Sequence, residues 1–391
     1  MFGLGAAAII VPITTIVSHT FGRTTYPLLL PAMKDDVLGS NTVAGLAGTV
    51  IYIAYLSGVI TVTALAGRFE PITIMRIGLG VSAFGLTLLS VAVNLPLVFG
   101  GLFLSSAGGA GIWLTAPGLA TQDVPRERRG FVIGFLTASV GFGTSLLALG
   151  TRVSRSALDN EGLWRPIYGV EAVIAVAILI AVVTLVRTRT TSAIGGGISL
   201  VALRKLSSWK RITIAYVIFG SIAAGYSSFL AETMEEDVGL TRGSVANVYI
   251  FMGFVSVVVA PLVGALSDRV GRREAKIGVM LALAVGSVAV AFGGRVVVVA
   301  SVLALGGVWG SYPTLTATYV RDHLDDREFG SAYGTMTIFY GVAAMVTPAA
   351  AGILADQLGS FTAGYLAVAV LSVIGAWVLV SIPSSATHDL E

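Results

Sequence analysis

The group in this sequence with the most chemistry to do is Arg23. It lies inside an apolar run, with His19 before it and Lys34 after it as the neighbouring basic side chains. An ionised side chain surrounded by hydrocarbon is expensive and marks a functional site by default. At a helical period Thr15, His19, Arg23 and Tyr26 fall on one face. A guanidinium stays protonated and offers a planar fork of donors to a carboxylate, phosphate or sulfate. No acidic residue in the same run is placed to neutralise it. The expected chemistry is therefore reversible binding of a small anion, with Arg23 as the principal contact. The competing expectation is a structural ion pair to another helix. His19 is the residue type that titrates near neutral pH, so it is a candidate carrier of a coupled proton or, more plainly, a hydrogen-bonded packing residue.

Two further acids lie in apolar runs. Glu232 reads as a protonatable coupling site, as a resting partner for Arg23, or as an interfacial neighbour of Glu235, Glu236 and Asp237. Glu171 is expected to be neutralised by Arg152, Arg155 or Arg165. Trp113, Tyr226, Phe229, Trp309, Tyr312 and Tyr340, with the polar Asn247, are candidates to wall a ligand site. Trp113 and Tyr312 each stand two residues after a glycine, Gly111 and Gly310. The chain has no cysteine and three histidines, and no phosphate-binding glycine loop opens a helix after a strand. No metal, cofactor, nucleic-acid partner or enzymatic activity is expected.

The elements that position these residues follow from composition. Hydrophobic residues are 55% of the 391-residue chain and charged residues 12%, against about 25% charged in soluble domains. So little polar surface must leave the exterior facing lipid. Twelve apolar stretches have roughly the 20-residue length that crosses a bilayer. They fall near 7–32, 42–66, 72–94, 97–121, 130–151 and 164–186, then near 210–235, 242–267, 274–293, 295–320, 329–355 and 361–383. Backbone groups in lipid must bond within their own segment, so these are helices and the fold class is an all-α membrane protein. The first lacks a basic leader and a small-residue cleavage site, which makes it a span and not a signal peptide.

The chain also repeats itself. Met33-Lys34-Asp35-Asp36-Val37 returns as Met234-Glu235-Glu236-Asp237-Val238, and Arg68 as Arg269, at an offset of 201. Gly130, Gly134 and Gly141 return as Gly330, Gly334 and Gly341 at 200. Two pseudo-symmetric six-helix bundles are expected, 1–186 and 210–391, with 187–209 as a linker containing Gly195-Gly196-Gly197 and a short helix near Leu200–Leu206. Lysines and arginines gather in alternate loops, including Arg126, Arg128 and Arg129 and the central cluster from Arg187 to Arg211. That bias puts both termini in the cytoplasm, in an inner membrane of prokaryotic type.

After the eighth span comes Gly264-Ala265-Leu266-Ser267-Asp268-Arg269-Val270-Gly271-Arg272-Arg273. This resembles the loop signature of the major facilitator superfamily of secondary transporters. In the first half Arg68 survives, but Gly67 and Glu70 replace the expected aspartate and glycine. The resemblance implies alternating access around a central site lined by the first, fourth, seventh and tenth spans and their neighbours. It also implies a gate built from Asp268, Arg269, Arg272, Arg273 and Arg68. Asp268 is expected to accept from the N–H groups that open the eleventh span, near Phe329–Ser331, and the arginines to meet Asp322, Asp325 and Asp326.

The leading expectation is a monomer that moves a small organic anion of mono- or dicarboxylate type, driven by a proton or by counter-anion exchange. The alternative is a proton-coupled drug or cation efflux antiporter. The fifth span, Gly134–Gly143, lacks the Gly-Pro ending that efflux members share, and the first span lacks a membrane acid to attract a cation. The topology has a direct check in this cysteine-free chain. Gly196→Cys should react with an impermeant thiol reagent only after the membrane is opened, and labelling in intact cells would overturn the arrangement.

Overall fold

A computed structural model describes residues 6–65, 68–160, 162–186 and 198–382. Among them the spans are α1 (Ala6–Leu38), α2 (Asn41–Leu65), α3 (Pro71–Ser90), α4 (Leu95–Thr121), α5 (Arg126–Leu158) and α6 (Arg165–Leu185). The second set is α7 (Trp209–Ser228 with Leu230–Glu236), α8 (Arg242–Val270), α9 (Arg272–Phe292), α10 (Arg295–His323), α11 (Asp326–Leu358) and α12 (Thr362–Val380). α7 bends by 44° between its two parts, and α10 breaks at Gly310. The linker's short helix is Leu200–Arg204, and residues 187–197 lie outside the described residues.

Large apolar side chains such as Val173, Val285 and Trp377 are exposed on the periphery. Lipid is as apolar as they are, so little hydrophobic force draws one helix to another inside the bilayer. Close backbone approach and interhelical hydrogen bonds must do it. Glycine supplies the approach between α3 and α4. A β-carbon on Gly78 would sit 2.7 Å from the Gly108 carbonyl, and one on Gly85 would strike the Ser105 nitrogen. Ser82 Oγ donates to the Ser105 carbonyl at 2.9 Å along the same seam.

The two lobes meet along a pair of equivalent seams, α2 with α11 and α5 with α8. The sequence offset is visible in the contacts. A β-carbon on Gly141 would lie 3.0 Å from Val257, and one on Gly341 would lie 3.6 Å from Leu56. Positions 56 and 257 differ by 201, and 141 and 341 by 200. Hydrogen bonds follow the same lines: Thr49 Oγ1 donates to the Met345 carbonyl, and Ser145 Oγ to the Ile250 carbonyl, each at 2.8 Å. Gly45 sits directly against the Pro348 carbonyl, and Gly352 against that of Asn41.

The two kinds of glycine contact predict different consequences. Gly85→Ala overpacks one lobe and should lower the melting temperature by the equivalent of about 1–3 kcal/mol. Gly45→Ala wedges the lobes apart and should favour the conformer open at that seam while each lobe stays folded. Thermal unfolding followed alongside an inter-lobe distance between spin labels separates the two. Equal effects of both variants on that distance would contradict the assignment.

Candidate functional site

Arg23 sits where α1 is wound most loosely. Residues Ile16–Thr24 form a π-helical stretch, and the Thr25 N–H reaches the Thr20 carbonyl five residues back. Such a turn frees carbonyls that need other donors, and hydroxyls passing between helices tie the stretch to its neighbours. Pro27, five residues beyond Gly22, has no N–H to give. Ser106 Oγ of α4 donates to the Gly22 carbonyl instead, at 2.9 Å. Ser18 Oγ donates to the Gly109 carbonyl at 2.7 Å, and Thr20 Oγ1 to the Val140 carbonyl of α5 at 3.3 Å.

The looser winding undoes the face expected from a 3.6-residue period. Tyr26 turns into the protein and donates to the Ala44 carbonyl of α2 at 2.6 Å. Thr15 donates to the carbonyls of Pro12 and Leu136. His19 remains half-buried, its ring 4.1 Å from that of Trp113, with Nδ1 3.2 Å from Ser18 Oγ.

Arg23 lies over two tyrosines of α2, its guanidinium carbon 3.9 Å from the Tyr55 ring centre and 5.4 Å from that of Tyr52. Its buried Nε has no hydrogen-bond partner, and among the described residues no carboxylate pairs with it. With Tyr52, Tyr55, Leu56 and Val59 it forms one wall of a cavity whose other wall is Thr337, Ile338, Tyr340 and Gly341 of α11. The cavity holds about 20 Å³. That is room for about one water, which needs roughly 10–15 Å³. In this conformation the lobes have closed on the guanidinium.

An aromatic stack runs from this cavity into the C-terminal lobe. Tyr340 lies 5.0 Å from Tyr216, and Tyr312 lies 4.3 Å from Phe219. At its far end Lys276 Nζ stands 5.1 Å from the Tyr312 ring centre and 5.4 Å from that of Tyr319. Lys276 is fully buried and its Nζ has no hydrogen-bond partner among the described residues. Lys276 was not among the expected site residues. Its signal was spacing: Lys276, Val279, Met280 and Leu283 share one face of α9, and all are buried.

Other expected wall residues sit elsewhere. Tyr226 packs edge-on against Tyr365 and Phe229 stacks on Phe361, both inside the C-terminal lobe. Tyr312 is likewise enclosed by its lobe. Asn247 accepts from Arg152 across the α5–α8 seam. Trp309 lies outside the described side chains.

Glu232 is not the partner of Arg23. It is buried and paired with Lys34, which also meets Glu236 at 2.5 Å. Arg242 reaches Asp35 at 2.5 Å and Glu235 at 3.0 Å. Asp356 accepts from the Asn41 and Thr42 N–H groups at 3.1 and 2.7 Å. The repeated acidic loops therefore clamp the lobes together at one end. Sequence could not show this, because offset equivalence identifies related residues and not which of them touch.

Glu171 is not neutralised by any of the three arginines expected. Arg165 pairs with Asp36 at 2.6 Å, Arg155 donates to the Leu163 carbonyl, and Arg152 goes to Asn247. Asp268 does not cap α11. The left-handed turn at Gly271, with φ of 99°, brings Asp268 onto Arg272 at 2.5 Å. Arg272 also reaches Asp322 at 3.3 Å, and Arg273 donates to the Val380 carbonyl at 2.7 Å. Arg68 and Arg269 are exposed. Asp325 serves as backbone cap of α11, and the Asp326 side chain lies outside those described. In the linker Lys205 pairs with Glu328, which holds the lysine above its usual range.

Among the described residues twelve apolar helices, with the bent α7 counted as one span, form two lobes related by a repeat, the architecture of a membrane transporter. The sequence pattern of the Major Facilitator Superfamily matches residues 13–212 and 212–390, and the chain belongs to that superfamily. Its fold is similar to that of the nucleoside transporter NupG, at 12% identity and a TM-score of 0.76, over 96% of this chain and 99% of that one. It is also similar to the D-xylose-proton symporter, at 15% identity and 0.77, over 97% and 98%. A tetracycline resistance protein, class C, from Escherichia coli is 27% identical over 170 residues, 41% of this chain and 40% of that protein's length.

The clamp makes its own prediction. Lys34→Ala leaves Glu232 buried without its cation, a change that costs roughly 3–5 kcal/mol in comparable pairs. The closed end should open, while Lys34→Ala combined with Glu232→Gln should recover most of the closure. Spin labels at Val37→Cys and Val238→Cys report it as a distance. An unchanged distance in the single variant would show that the pair does not hold this end.

Proposed function

We propose that this transporter moves a small organic anion by alternating access, bound by Arg23 at the seam between the lobes. The single observation that carries the reading is the guanidinium itself, enclosed at the lobe interface with tyrosine rings beneath it and no carboxylate paired to it among the described residues. The magnitudes support it. A buried cation loses several kcal/mol of hydration, and cation–π contact with tyrosine returns about 0.5–2 kcal/mol. The deficit favours a bound anion over an empty site. The cavity wall changes hands when residues 1–186 and 210–391 rock about the linker 187–209, so binding and exposure are tied to the same motion. Drive comes from a proton or from exchange with a second anion, with His19 beside the site and Glu232 in the clamp as the proton candidates. The clamp faces outward, with both termini cytoplasmic in an inner membrane of prokaryotic type, and one chain contains the whole site.

A second reading is proton-driven efflux of a drug or cation. The partial likeness to a tetracycline resistance protein favours it. It requires an acid at the site, and the aromatic cavity around Arg23 supplies a cation instead.

The test is uptake and exchange of small mono- and dicarboxylates by the purified chain in liposomes, with lipophilic cations as the contrasting set. Arg23→Ala should weaken anion binding by roughly 2–5 kcal/mol. Arg23→Lys, which keeps the charge and loses the fork, should restore it in part. An alanine variant that transports the same anion as well as the parent would refute the anion reading. Cation transport that survives Arg23→Ala would put efflux in its place.

A further inference from the structure

Glu171 of α6 is a buried acid to which the transport scheme so far gives no part. It is 3% exposed. One carboxyl oxygen lies 2.5 Å from Thr25 Oγ1, and the other is buried with no hydrogen-bond partner among the described residues. The titratable groups around it are few. Tyr168 on its own helix is the near one, with Tyr26 of α1 beyond it beside Tyr168. From the π-helical stretch of α1, Arg23 lies over Tyr55 and Tyr52, and His19 lies against Trp113. From α3 the charged residue is Arg76, whose guanidinium rests against the Val183 and Val186 carbonyls. Those carbonyls are at least twelve residues from Glu171, roughly 18 Å along a helix. An ionised carboxylate enclosed in this way would be uncompensated, and burial without a partner drives such a group to take up a proton.

Thr25 is the residue at which the π-helical stretch ends. Its hydroxyl lies 2.5 Å from Glu171 and 3.1 Å from the Thr20 carbonyl, the same carbonyl that accepts the Thr25 N–H. A hydroxyl has one hydrogen to donate. If Glu171 carries a proton, the acid donates to Thr25 Oγ1 and Thr25 donates to Thr20, so the acid proton and the Thr20 carbonyl are both served. If Glu171 is ionised, Thr25 must turn its hydrogen to the carboxylate, and the Thr20 carbonyl loses that bond. The loose winding of Ile16–Thr24 is then less well supported, and it contains both His19 and Arg23. Rewinding a π turn into α geometry rotates the residues on one side of it relative to those on the other.

We propose that Glu171 is a proton-binding site that sets the winding of helix α1, so that its protonated form presents Arg23 to the cavity and its ionised form withdraws it. This rests on the reading of Arg23 as the anion contact. The step is proton binding alone: one O–H bond forms on the carboxylate, the proton comes from water, and it returns to water on release. Glu171 is a positioning residue, acting on the ligand through Thr25 and the helix.

The test uses the full chain in lipid nanodiscs and needs no transported ligand. Infrared difference spectra should show a protonated-carboxyl stretch at neutral pH that disappears in Glu171→Gln and titrates away in the parent at alkaline pH. Amide hydrogen exchange over residues 16–25, compared at one alkaline pH, should be at least several-fold faster in the parent than in Glu171→Gln, and equal at acidic pH where both side chains are neutral. If Glu171→Gln does not fold, the parent titration stands, and Thr25→Val should shift the same infrared band. Absence of that band at neutral pH would overturn the assignment. A band that titrates with no difference in exchange, or no response to Thr25→Val, would overturn the link to α1. Undiminished anion transport by Arg23→Ala with these spectra intact would count against the anion reading alone.

Discussion

A charge held in a low-dielectric space without a counter-charge is the constraint on which this structure turns. Arg23 could not be retained in a rigid bundle, because the loss of hydration exceeds what two tyrosine rings return. It is tolerable in a protein whose halves open to water in turn. The cavity between α2 and α11 closes down to about one water's volume around the guanidinium. A hydroxyl of α4 donating to Gly22, and Thr20 of α1 donating to a carbonyl of α5, hold a helix that no regular hydrogen-bond ladder would hold in that shape. The site and the irregular backbone are one arrangement, since α-helical winding would place Tyr26 on the face that it leaves.

Much of the architecture was legible because the bilayer imposes it. Span length, charge bias and the offset of 200–201 led to twelve helices in two related lobes, and the contacts of Gly141 with Val257 and Gly341 with Leu56 display that symmetry in space. The candidate site was legible only in part. Arg23 announced itself by the cost of its position. Tyr52 and Tyr55 did not, because an aromatic residue in an apolar helix is ordinary and nothing local marks which face it takes. Tyr26 was misplaced for a physical reason: sequence periodicity assumes 3.6 residues per turn, and α1 departs from it at the candidate site.

Partner choice was the other thing that sequence withheld. Glu171 and Asp268 were expected to meet a nearby arginine and a helix end, and Glu232 was open to Arg23 among other readings; each has a different partner in the fold. The reasons differ. Asp268 is folded back by the turn at Gly271 onto an arginine four residues on. Glu232 meets a lysine from the other lobe. Glu171 meets a hydroxyl, because the arginines near it in sequence are taken up at the end of the lobe.

Asp356 shows what the clamp's chemistry means for its speed. Its carboxylate accepts from two backbone N–H groups at the start of α2, and all three residues lie in reach of solvent. Water can replace each of these bonds as it breaks, so parting the lobes here strands no polar group. The ion pairs beside it, Lys34 with Glu236 and Arg242 with Asp35, are partly exposed and so are weakened by electrolyte, whose screening length is about 8 Å at physiological ionic strength. The medium bathing this end thereby sets how long the closed form lasts, and a change in its salinity alters the dwell time without any ligand having bound.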